Sequence, residues 1–124
     1  MKTLSTDASA AALGIGRKVL DNILAREARS LVKPGSRGRS RKIPINALEK
    51  IAVALVFNRD LGVSIARGLE LASRILADHD SATSAGSLIT VTFDVRRLRT
   101  ALEHSVSEAL ESVAERTRGR PAHS

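Results

Sequence analysis

Phe57 and Phe93 are the only aromatic side chains in 124 residues, so the core of this chain must be assembled from Leu, Ile, Val and Ala. Such side chains pack well when they project from helices at spacings of three and four, and stripes of that kind recur along the sequence. They are Val19, Leu20, Ile23 and Leu24; Leu48, Ile51, Ala52, Leu55 and Val56; Ile65, Leu69, Ala72, Ile75 and Leu76; and Leu98, Leu102, Val106, Ala109, Leu110 and Val113. The pattern predicts a mainly α fold. With 43% apolar residues, the length suits one domain plus a terminal element.

Punctuation between the stripes places the elements. Ser5 or Thr6 caps a helix over residues 7–13, which Gly14 stops; Ile15 pins the turn, and Gly16 opens a second helix reaching about Arg26. Residues 31–45 change character. Leu31 and Val32 start a short strand, 33–40 is rich in Gly, Ser and Arg, and 41–45 returns as a second strand, giving a hairpin with a basic tip. Asn46 caps the third helix, Gly62 ends it and Ser64 caps the fourth, which closes near Asp78. Residues 79–86 read as a linker. In 87–95 the side chains alternate, with Ile89, Val91, Phe93 and Val95 on one side, as in a half-buried strand. A last helix follows, and the basic tail 117–124 is expected to be disordered.

Charge is distributed unevenly over this plan. Between Gly16 and Lys42 there are nine bases (Arg17, Lys18, Arg26, Arg29, Lys33, Arg37, Arg39, Arg41, Lys42) against Asp21 and Glu27, a local balance of +7 that equals the formal net charge of the chain. From Ile43 onward bases and acids nearly cancel. A concentrated positive field releases counterions from phosphates and speeds encounter with a polyanion. The scarcity of aromatic rings argues against single-stranded nucleic acid, whose bases stack on such rings. Double-stranded DNA is the expected partner.

The order helix, turn, helix, basic hairpin, helix, helix resembles the winged-helix DNA-binding domain of the MerR superfamily over about residues 4–76. AAALGIGRKVLDNIL looks like its helix-turn-helix, RKIPINALEKI like the passage from the wing into the next helix, and LGVSIARGLELA like its Leu-Gly-aliphatic-Ser motif. The resemblance implies that Gly16, Arg17, Lys18, Asp21, Asn22 and Arg26 belong to a recognition helix in the major groove. It implies that Ser36, Arg37, Arg39, Ser40, Arg41 and Lys42 form a wing on backbone and minor groove, with Ser5 and Thr6 touching backbone at the start of the first helix. Arg17 or Lys18 would address guanine and Asn22 adenine. The family's long dimerising helix and effector domain have no counterpart here, so no metal or small-molecule effector is implied.

The plan is therefore a winged helix-turn-helix domain over 1–78, a linker over 79–86 and a strand-helix element over 87–116. A lone strand and a lone amphipathic helix need a covering surface. Two copies would supply it through Ile89, Val91, Phe93, Val95, Leu98, Leu102, Val106 and Leu110, giving a homodimer with two recognition helices; the alternative is that the element folds back on its own domain. Without cysteine there are no disulfides, thiol catalysis or thiolate metal sites. His79, His104 and His123 lack a second ligand at metal spacing, and nothing joins a nucleophile to a base, so neither enzymatic activity nor a cofactor is expected. No apolar run nears the roughly 20 residues of a membrane span, and residues 1–13 lack the pattern of a signal peptide. The expectation is a cytoplasmic, nucleoid-associated, repressor-like regulator of bacterial or phage type. Alternatives are an excisionase-like factor that bends DNA and, from another class, an antitoxin-like or scaffold interaction module.

Overall fold

The computed structural model describes residues 3–27, 42–77, 82–84 and 88–118. In chain order they form β1 (Thr3–Ser5), α1 (Thr6–Leu13), α2 (Arg17–Arg26), β2 (Lys42–Pro44), α3 (Ile45–Leu61), α4 (Ile65–Ala77), β3 (Ala82–Ser84), β4 (Thr90–Thr92) and α5 (Val95–Arg118). The architecture is mainly helical, with two small antiparallel ribbons, β1 with β2 and β3 with β4.

Local chemistry sets the helix ends. The Ser5 hydroxyl accepts from the Ala8 amide at 3.1 Å, and Ser64 and Asp94 do the same for Arg67 (3.2 Å) and Arg97 (2.9 Å) at the starts of α4 and α5. Gly14 and Gly62 end α1 and α3 in the left-handed region, at φ 71° and 68°, and their amides return to carbonyls of the last turn. Asn46 lies two residues further in than the cap, which is Pro44. Pro44, at φ −64°, leads directly into α3 at Ile45, and the Asn46 side chain accepts from the adjacent Ala47 amide at 2.9 Å.

α1 is short and carries mostly small side chains, and Thr6, Ala8, Ser9, Ala10 and Ala12 are all buried. Its neighbours can therefore approach closely, α2 on one flank and α5 on another. One apolar cluster joins Leu4, Leu20, Ile23, Leu24, Ile43, Leu48 and Ile51 with Leu102, Val106 and Ala109 of α5. The second gathers Val53 and Phe57 of α3 with Leu71, Ala72 and Ile75 of α4, and β4 and the start of α5 pack against it through Val91, Phe93, Val95 and Leu98. The two rings meet here, Phe57 and Phe93 lying 5.5 Å apart between centroids. α3 thus serves both clusters. It meets α4 closely at Gly68, where a Cβ would stand 3.0 Å from the Ala54 Cα.

Several expectations from the sequence are corrected. The return strand forms as β2, but its partner among the described residues is β1, with Leu4 opposite Ile43 and Ser5 opposite Lys42; both apolar residues are buried, which pins that register. The linker contains a strand, since Ala82–Ser84 pairs with Thr90–Thr92. The 87–95 strand is correspondingly shorter, because the Asp94 cap starts α5 at Val95. Ile89 is exposed instead of lying on a covered face.

α5 packs against its own chain. Leu102, Val106 and Ala109 are buried in the first cluster, while among the described residues of the set expected at a dimer interface Ile89 and Leu110 stay exposed. The helix also runs to Arg118, into the stretch expected to be a disordered tail. Leu31, Val32 and the wing residues Ser36, Arg37, Arg39, Ser40 and Arg41 lie outside the described residues, as do Asp78, His79, Asp80 and His123.

Candidate nucleic-acid interface

The outward side of α2 is built by subtraction. Leu20, Ile23 and Leu24 go into the core, which leaves Arg17, Lys18, Val19, Asn22, Ala25 and Arg26 exposed, with Asp21 half-buried. Spacing predicts Val19 on the buried side with Leu20 and Ile23, yet it is 49% exposed. The buried arc is centred between Ile23 and Leu24, and Val19 falls beyond its edge.

The start of α2 breaks a local rule. Its cap, Gly16, offers no side-chain acceptor, and its first turn has no acidic residue but carries Arg17 and Lys18. Cations there oppose the positive end of the helix dipole. Arg17 is accommodated by two carboxylates: its Nη1 donates to Asp7 Oδ1 at 3.1 Å, and its Nε lies 3.8 Å from Asp21 Oδ2. All three side chains are about half exposed, so these pairs orient Arg17 more than they stabilise the fold. No described residue pairs with Lys18, Asn22 or Arg26.

A short path of contacts joins this helix to the basic segment. Asp7, which holds Arg17, is two residues from Ser5, and Ser5 is the register partner of Lys42, where the described chain resumes after residues 28–41. Exposed Lys42 thus pairs beside the start of α1, and Asp7 of α1 holds exposed Arg17 at the start of α2. Ser5 remains at the surface there, its oxygen engaged by the Ala8 amide. Thr6, by contrast, is buried, at 4% exposure. Of the sequence-predicted recognition set, the structure thus gathers Gly16, Arg17, Lys18, Asp21, Asn22 and Arg26 on one helix. Val19 was missed because hydrophobic spacing assigned it inward.

A second basic cluster, Arg96, Arg97 and Arg99 at the start of α5, is hidden in the sequence by the neutral balance of the C-terminal part. Arg99 donates to Glu49 at 2.6 Å and ties α5 to α3. The pair spans an open groove of about 300 Å³ bordered by Ile45, Leu102, Glu103 and Val106. Among the described residues, no group of three or more His, Asp or Glu could hold a metal ion, and His104 pairs with Glu108 at 3.1 Å on the surface of α5. No helix of the described residues is long and apolar enough to cross a membrane. No protein family, curated protein or solved structure matches this chain.

Proposed function

We propose that this chain binds double-stranded DNA sequence-specifically as a transcriptional regulator of MerR-like winged-helix type. In this reading α2 enters the major groove, and the basic segment ending at Lys42 lies along the backbone. The observation that carries it is the outer face of α2, where Lys18, Asn22 and Arg26 stand exposed, without a partner among the described residues, over a buried apolar underside. Such a helix can present side chains to base edges while its scaffold stays fixed. The charge excess between Gly16 and Lys42 supplies the non-specific attraction that brings a duplex to it.

The test is a titration of a labelled mixed-sequence duplex, and of a single strand of equal length, across a range of salt. The duplex is expected to be preferred, with affinity falling linearly in logarithmic salt. Absence of duplex binding even at low salt would sink the proposal.

The packing of α5 favours a second, related reading. With Leu102, Val106 and Ala109 buried in the same copy, one copy presents one α2, which suits an excisionase-like factor that bends DNA as well as a repressor. Bending measured by circular permutation of the bound site separates the two.

A further inference from the structure

Val19 is the one large apolar side chain that α2 leaves in solvent. Going round the helix at about 100° per residue, Leu20, Ile23 and Leu24 form the buried arc. Opposite them lie Lys18, Asn22 and Ala25; the Arg17–Asp21 pair borders that face on one side, and Val19 with Arg26 borders it on the other. One turn before Val19 is Gly16, above which a Cβ would meet nothing within 4 Å, so the approach to the isopropyl group is open. A β-branched residue there gains nothing from helix propensity and fills no space in the core. Its position among polar neighbours calls for a partner that is polar around it and apolar at one point.

We infer that Val19 contacts the C5-methyl group of a thymine, beside the base addressed by Asn22; the inference rests on the DNA-binding reading above. The major groove shows an apolar group only at thymine, set among hydrogen-bonding base edges, which matches an isopropyl group flanked by an amide and cations. Charge selects this occupant over an apolar protein surface, since Lys18 and Arg26 stand on the same face without a partner among the described residues. Arg17, held by Asp7 and Asp21, orients the start of the helix, and discrimination falls to Lys18, Val19 and Asn22.

The test uses the duplex most enriched by this protein from a randomised library, with its thymines replaced one at a time by uracil, which removes only the methyl group. One position is expected to weaken binding by the wild-type chain about fourfold, the worth of one buried methyl group. Val19→Ala should be insensitive to that replacement and weaker on the thymine duplex by a similar factor, while Val19→Ile keeps the preference. Thermal melts of both variants verify that they fold. A duplex on which no uracil replacement matters, a loss that persists in Val19→Ala, or retention of DNA without enrichment of any thymine position overturns the assignment and leaves duplex binding standing. If no duplex is retained, this inference and the reading beneath it fall together.

Discussion

At the scale of single residues, the boundary between core and surface on α2 is one position wide. Leu20 is fully buried and Val19 half exposed, although both satisfy the same spacing rule. Periodicity identifies a helix and its approximate buried side, but the width of the buried arc depends on neighbours that are remote in sequence. The Arg17–Asp7 pair, spanning ten residues and a turn, was illegible for the same reason. Its consequence for DNA is testable: Lys18→Ala or Asn22→Ala should lose ~1–3 kcal/mol of binding to a preferred duplex if they touch bases, read from titrations at fixed salt. A stability prediction concerns Ser9, whose hydroxyl is fully buried without a hydrogen-bond partner. Leaving a hydroxyl unpaired in the core costs about 1–3 kcal/mol and Ser is a poorer helix former than Ala, so Ser9→Ala should raise stability by ~1 kcal/mol in a urea melt. A lower midpoint for that variant would show that the hydroxyl is satisfied after all.

At the scale of elements, helix ends were far more legible than strands. Ser5, Gly14, Gly62 and Ser64 act on amides and carbonyls within one turn, and that chemistry is written locally. β1 and β3 have three residues each, too few for a period of two to stand out, and β1 pairs with a strand remote in sequence, Thr3 opposite Pro44, which no local rule reports. Helix contacts carry a further prediction. Gly68 has little room for a side chain beside Ala54, so in Gly68→Ala the neighbouring backbone at Ala54 must give by a few tenths of an ångström. Overpacking of this kind costs about 1–3 kcal/mol, against the gain in helix propensity, and Gly68→Val should cost more. Denaturant midpoints that fall in the order wild type, Ala, Val would bear this out; equal midpoints would mean that the two helices separate freely.

At the scale of the whole molecule, the placement of α5 changes what the chain can be. An amphipathic stripe states that an apolar face needs covering, and the sequence contains nothing that says whether the cover belongs to the same copy or another. Here α1 supplies it, because its Ala and Ser side chains let a second helix lie close. Val106→Asp separates the possibilities: placed in the intramolecular core, the carboxylate should destabilise the fold by about 3 kcal/mol or more, whereas on a pure dimer interface it would leave a folded monomer. Circular dichroism and sedimentation of the variant distinguish these outcomes. α5 is then a buttress for α1, and α1 carries the turn that aims α2 outward. The central claim is that this outward face reads duplex DNA, and the most direct measurement is selection from a randomised duplex library at near-physiological salt, run in parallel with wild-type protein and a Lys18→Ala, Asn22→Ala double variant. The account predicts that wild-type protein enriches a defined site and that the variant does not; no enrichment by either protein, or the same site enriched by both, would contradict it.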